Sequence, residues 1–532
     1  MITAPSGNAL PLARTLPLAA LCGAATVAGF APFYLFLLPP LTLALLISLW
    51  RRAAGFRDTA LAGFAFGLGY FGAGVSWVYV SLHDFGAMPA LLAGAVTALF
   101  CIYLALYPAL IGAVYKILSA RSALAASAAL PAAWALADWL RGWLFTGFPW
   151  LALGYSQVPA SPLAGYAPVF GVYGVSLATV ASAALICLLW ARAGEEIKRE
   201  NADGAHRFPG ALVSTIDRPA LLLLAAVWVG GYALKQIEWT HPEGEPVAVS
   251  LLQGNIPQEM KWREDQVRST LTAYRSLVAA SHARLIILPE TALPLFLHEV
   301  PDDYLEALAA HARANRGDVL IGVPERSDGG NYYNSVLSFG ASPTQTYRKS
   351  HLVPFGEYVP LKPLFGWFFE VTQIPLLDFA RGGESQQPLA VAGQRVAVNI
   401  CYEDAFGAEI IRQLPQATLL VNVSNVAWFG RSVAPRQHMQ ISQARALETG
   451  RYMLRATNTG MTAIIDQHGN VRAVAPEFTA ASVSGEVQGY AGATPYVHWG
   501  NAPIIALALL LALGGGWLGR REAGKIRASP TP

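Results

Sequence analysis

Cys401 closes Val396-Ala397-Val398-Asn399-Ile400, where apolar residues alternate with smaller or polar ones as in a short, mostly buried strand. The residues from Asp404 to Ile411 then predict the opening of a helix. A thiol at a strand-to-helix turn has backbone N–H groups close by, which lower its pKa and can hold an oxyanion. A lone cysteine is otherwise a core residue. Two further stretches favour chemistry: Leu285-Ile286-Ile287-Leu288-Pro289-Glu290 reads as a buried strand ending in a carboxylate, and Thr346-Tyr347-Arg348-Lys349 ends an extended run in a lysine. Three apolar strands that each deliver one reactive side chain at the C-terminal end are how α/β active sites are built. Cys401 is then the expected nucleophile, and Glu290 a desolvated general base of raised pKa. Lys349 is the expected oxyanion partner, with the N–H of Tyr402 beside it. Singly, Glu290 reads as a turn residue and Lys349 as a solvated edge charge; the three together do not.

The elements that must position these residues fall into two parts. Of 532 residues, 54% are hydrophobic and only 13% charged, a balance that excludes a soluble enzyme of this size and fits a membrane protein. A net charge of +3 makes no case for nucleic acid. Cys22, Cys101 and Cys187 lie in apolar runs, and neither metal-ligand spacing nor a disulfide framework emerges. Apolar runs near 15–31, 33–50, 60–81, 89–115, 122–140, 165–190 and 219–236 predict seven membrane helices, and a run at 502–519 an eighth. The first is followed at once by a second and lacks a convincing cleavage site, so it is read as a span and not as a signal peptide.

Arg51, Arg52, Arg57, Lys116, Arg121, Arg192, Lys198, Arg199, Arg207 and Arg218 fall in alternate connections, and Arg520, Arg521, Lys525 and Arg527 follow the last run. The positive-inside rule then places both termini in the cytoplasm and the long segment between the last two spans outside. The expected organisation is 1–236 membrane helices, 237–498 an external catalytic domain and 499–532 a last helix with a cytoplasmic tail. Asp138 and Arg141, one helical turn apart near the bilayer, read chiefly as an interfacial anchor with a local ion pair, and less as a lipid headgroup contact.

The segment 240–495 changes character. Strand patterns at 247–252, 285–288, 318–323, 335–337, 396–400 and 417–423 alternate with helical stripes such as Val267, Leu271, Tyr274 and Val278, which predicts an α/β domain. Pro363 to Phe369, Val371 to Leu377, Trp262 and Trp428-Phe429 supply surplus apolar surface, expected as lids that meet lipid, with packing on the domain's own core as the alternative. Asn334 and Asn425 are expected to orient loops around the pocket.

These motifs carry a resemblance. A Glu, a Lys and a Cys each ending a strand resemble the nitrilase, or carbon–nitrogen hydrolase, superfamily. Lys349-Ser350-His351-Leu352-Val353-Pro354-Phe355-Gly356-Glu357-Tyr358, Ile400-Cys401-Tyr402-Glu403, Ser424-Asn425-Val426-Ala427-Trp428-Phe429-Gly430 and Gln253-Gly254-Asn255-Ile256-Pro257-Gln258 with Lys261-Trp262 are similar to the apolipoprotein N-acyltransferase family within it. So are Gly74 to Tyr79 and Asp138 to Trp143, which extends the resemblance to the membrane part. It implies an α-helical membrane domain of about eight helices plus a nitrilase-like αββα sandwich. It also implies catalytic roles for Glu290, Lys349 and Cys401, with Glu357, Tyr402 and Glu403 in support. The implied reaction moves an acyl chain from a phospholipid through a Cys401 thioester to the N-terminal amine of a diacylglyceryl apolipoprotein, without cofactor or metal. The implied location is the bacterial inner membrane, with the catalytic domain on the periplasmic side. A membrane-tethered amidase, and a receptor or transporter with a degenerate nitrilase domain, are the alternatives.

Overall fold

The computed structural model describes residues 10–120, 122–203, 217–361, 363 and 378–528. It divides into two compact units. One comprises residues up to Ser76, Val96–Ile237 and Asn501 onward; the other comprises Trp77–Ala95 with Glu238–Gly500.

In the first unit, each apolar run predicted above is occupied by a helix. These are Leu12–Thr26, Leu38–Arg52, Phe56–Val75, Ala90–Ser119, Ala123–Arg141, Ala167–Asp203, Arg218–Lys235 and Ala502–Ala528. By length and composition four helices among the described residues can cross a membrane, or five if Phe56–Val75 and Val78–Phe85, bent by 53°, are one broken span. The count of eight is therefore not reached on that criterion; the run at 502–517, for example, is apolar but short. Small residues let the helices approach closely. A Cβ on Gly23 would stand 2.0 Å from the Phe66 carbonyl oxygen, and one on Gly69 2.0 Å from that of Ala20.

Asp138 and Arg141 form the expected local ion pair, and both side chains are buried inside the protein, which leaves no open charge for a lipid headgroup. Arg141 is 2% exposed and donates to the carbonyls of Phe148 and Trp150, both at 2.6 Å, and to Asp138 at 3.1 Å. Asp138 accepts from the Leu153 N–H at 3.0 Å and from Ser176 at 2.9 Å. Every charge is matched inside the protein, as burial requires. The pair braces the turn at 148–153.

The second unit is a four-layer sandwich. One six-stranded sheet runs in the order Ala481–Val487, Val247–Gln253, Leu285–Ile287, Asp318–Arg326, Tyr332–Gly340, Gln345–Arg348. The other runs Val471–Val474, Ala463–Ile465, Met453–Thr457, Leu419–Ser424, Gln394–Ile400, Leu389–Val391. The middle strands of each are parallel. Strand alternation builds the layers. Val249, Leu251, Leu285, Ile287, Val396, Val398, Ile400, Leu419 and Val421 share the cluster between the sheets. Their neighbours Leu252, Ile286, Val319 and Ile321 pack outward with Tyr274 and Leu308, from the helices Glu264–Ala279 and Asp302–Ala314. Ala397, Leu420 and Met453 pack outward with Met439 and Ala446 of the helix Ala434–Thr449.

The segment Trp77–Ala95 joins this unit through the loop after Leu419–Ser424. Ser81 donates to the Trp428 carbonyl at 2.8 Å, and the Trp77 and Phe429 rings meet edge to face at 4.8 Å. Trp428 and Phe429 are half-buried in these contacts. The lid residues 364–377 lie outside the described residues.

Candidate active site

Four loops leave the C-terminal ends of strands from the two sheets and meet. Glu290 follows Leu285–Ile287, Lys349 follows Gln345–Arg348, Cys401 follows Gln394–Ile400 and Asn425 follows Leu419–Ser424. Glu290 and Lys349 come from one sheet, Cys401 and Asn425 from the other. The inter-sheet core thus holds the residues in register before any of them touches another.

Lys349, 1% exposed, lies 3.3 Å from Glu290 Oε1 and 2.9 Å from Glu357 Oε1. Asn334 donates to the same two oxygens, at 2.8 and 2.9 Å. The second Glu290 oxygen accepts the Asn425 backbone N–H at 2.7 Å, and the second Glu357 oxygen accepts that of Val353 at 2.8 Å. Burial works to raise the Glu290 pKa, but Lys349, Asn334, Lys261 and the Asn425 N–H outweigh it, and the carboxyl lies below its usual value. The raised base expected from the sequence is thus corrected: desolvation is present but overcompensated, first by Lys349 and then by Asn334, Lys261 and the Asn425 N–H. Burial opposes the charge of Lys349, yet Glu357 and Glu290 win and hold it firmly protonated.

Cys401 is a half-buried free thiol at φ 54°, a left-handed conformation uncommon outside glycine. Two expectations change here. The chain beyond it forms a 3₁₀ turn, Cys401–Ala405, and then a single helical turn, Gly407–Ile410, so no long helix contributes a dipole. The thiol pKa is pushed well up, not down, first by burial and then by the Glu290 carboxylate, with Lys349 opposing. The site therefore rests as a neutral thiol beside an ionised carboxylate. That pairing suits base-assisted attack at the moment of reaction better than a standing thiolate.

Glu403 is buried, and its carboxylate gathers donors from both sheets. Oε1 accepts from Ser350 N at 2.6 Å and His351 N at 3.0 Å; Oε2 accepts from Ile400 N at 2.7 Å and Tyr347 Oη at 3.0 Å. Burial pushes its pKa up to about 7 against those N–H groups and Lys349. Tyr402 packs edge-on against Phe406 at 5.0 Å. Trp262 is 41% exposed, and Trp428 sits in the aromatic contacts described above, 6.4 Å from the Phe85 ring centre.

Sequence reasoning gave no role to Lys261. It is 3% exposed, donates to the Glu290 carbonyl at 3.3 Å, and its pKa is lowered to about 8 by burial, with Glu290 and Cys401 opposing. Its only signal was its place beside Trp262 in a motif. Gln258, which accepts from the Asn425 side chain at 2.8 Å, was equally silent.

Comparison with known proteins bears on this geometry. A carbon–nitrogen hydrolase model matches residues 248–496, and an apolipoprotein N-acyltransferase N-terminal domain model matches residues 22–185. The sandwich is thus a carbon–nitrogen hydrolase domain. The chain is 58% identical over 505 residues to the apolipoprotein N-acyltransferase of Nitrosomonas europaea, covering 94% of this chain and 97% of that one. It is 46% identical to the enzymes of that description from Chromobacterium violaceum (95% and 94% covered) and Methylococcus capsulatus (90% and 91%). The chain belongs to the apolipoprotein N-acyltransferase family.

Proposed function

We propose that this protein acylates the N-terminal amine of diacylglyceryl-cysteine on apolipoproteins, with a membrane phospholipid as donor and Cys401 as the carrier. The observation that supports it best is the convergence of Glu290, Lys349 and Glu357 in one hydrogen-bonded group, with Cys401 electrostatically linked to it. Glu290 takes the thiol proton as sulfur attacks the ester carbonyl, and Lys349 neutralises the oxyanion. Collapse expels the lysophospholipid oxygen, which receives the proton from Glu290. The acceptor amine then attacks the thioester, Glu290 removes its proton, and the thiol leaves with that proton. Atoms balance without metal or nucleotide. Glu357 holds Lys349, Glu403 holds the two strand ends, and Asn334 holds both acidic partners. Trp262, Tyr402 and Trp428 supply apolar and aromatic surface for the substrates.

The membrane part supports the same reading. The Lys and Arg distribution supports a periplasmic domain at 237–498, with both termini cytoplasmic and the eight apolar helices as spans. Incubation of purified protein with labelled phospholipid and a diacylglyceryl-cysteine peptide tests the reading. Equal amounts of lysophospholipid and N-acylated peptide are expected, and neither with Cys401→Ala. Free fatty acid without acylated peptide indicates a hydrolase instead.

A further inference from the structure

A second group of buried polar side chains touches the Cys401 backbone, and nothing in the reaction above uses it. The Cys401 carbonyl accepts from His438 Nε2 and from Asn422 Nδ2, each at 3.1 Å. His438 Nε2 also lies 2.7 Å from Asp404 Oδ1, and Arg455 Nη2 lies 2.8 Å from His438 Nδ1. Arg455 further reaches Asp404 Oδ2 at 3.2 Å and Asn422 Oδ1 at 2.7 Å. A guanidinium only donates, so His438 Nδ1 must accept and the ring proton sits on Nε2, shared between Asp404 and the Cys401 carbonyl. Asp404, His438, Asn422 and Arg455 are all fully buried. Burying such groups is costly unless each is paired, and a paired set seldom outperforms apolar packing for stability alone.

Geometry shows what the group does. Cys401 sits at φ 54°, and its carbonyl is clamped by two donors. The peptide that follows is planar and trans, so the N–H of Tyr402 points opposite to that carbonyl, away from His438 and Asn422. We propose that Asp404, His438 and Arg455 are positioning residues that set the Cys401–Tyr402 peptide, turning its N–H to the side on which the acyl oxygen gains charge. Arg455 fixes the His438 tautomer, His438 fixes the carbonyl, and the peptide plane does the rest. This inference rests on Cys401 being the nucleophile.

Two rates measured on the full-length protein test it. One is single-turnover loading of Cys401 from phospholipid, followed by intact mass. The other is alkylation by iodoacetamide, mapped to the Cys401 peptide. Alkylation displaces iodide and develops no oxyanion, so it reads the thiol alone. For His438→Ala we expect loading to slow by about 10–100-fold, less than the roughly 10²–10³-fold for an oxyanion donor removed outright because the donor is misaligned and not lost, with alkylation unchanged. His438→Gln, whose amide nitrogen reaches where Nε2 does, should recover most of the loading rate. If the alanine variant does not fold, His438→Asn, polar but too short to reach the carbonyl, replaces it. Loading at the wild-type rate, alkylation falling in step with loading, or no recovery in His438→Gln would each overturn the inference. A wild-type protein that alkylates but never loads would instead reject the nucleophile itself.

Discussion

Glu403 joins Ser350 at 2.6 Å through one carboxylate oxygen and Ile400 at 2.7 Å through the other, and so ties the strand end that carries Lys349 to the one that carries Cys401. The two strands lie in different sheets, so one buried side chain adds a direct bridge between their ends to the register that the inter-sheet core sets. Glu403→Gln would aim an amide N–H₂ at backbone donors and leave at least one unpaired. A loss of about 1–3 kcal/mol in stability is expected. Loading of Cys401 should fall at least about tenfold, since small misplacements of reacting groups are costly. Thermal denaturation and single-turnover loading check both; a variant with wild-type loading would contradict the brace.

Lys261 predicts a pH dependence. Its pKa is about 8 in the folded protein against 10.5 ordinarily. Below about 8 both states hold the proton and the cost of burying the charge is present in full. Between 8 and 10.5 the unfolded chain keeps a proton that the folded one has released, so stability rises with pH. Wild-type melting temperature should therefore gain on that of Lys261→Met across this window. Parallel curves would show that Lys261 is not a buried charge.

Glu290 and Glu357 share Lys349 but not its chemistry. Glu290→Gln removes the base and should slow loading by about 10²–10⁴-fold. Glu357→Gln leaves the base in place and should cost less. Single-turnover loading ranks the two; a larger loss for Glu357→Gln would reverse the assignment of base and support.

The sequence displayed the strands that end in Glu290 and Cys401 because each is a short apolar run. It did not display the helix Ala434–Thr449, which is buried on nearly all sides and carries Gln437, His438, Gln440, Gln443 and Arg445 inward. A helix without a wet face has no apolar stripe to read. The same blindness hid the cluster behind Cys401, whose members are polar residues scattered over four elements. The two pKa expectations failed for a related reason. Burial was inferable from the strand ends, but the groups that outweigh it at Glu290 are Lys349, Asn334, Lys261 and a backbone N–H at 425, whose closeness to Glu290 no local pattern displays. The strands Met453–Thr457 and Ala481–Val487 also went unread, the first because Arg455 interrupts its apolar run.

Membrane topology is tested independently of chemistry. Reporter fusions or cysteine accessibility should place residue 300 outside the cytoplasm and residues 200 and 528 inside, as the Lys and Arg distribution dictates. Residue 300 in the cytoplasm would contradict both the eight-span arrangement and the compartment of the substrate.

The most direct measurement is the intact mass of the purified protein after incubation with phospholipid alone. A large donor and a large acceptor sharing one nucleophile predict a two-step course. One acyl chain should load on Cys401 and persist, neutral hydroxylamine should remove it, and Cys401→Ala should take none. Labelled fatty acid in solution, with no adduct on the protein, would contradict the account.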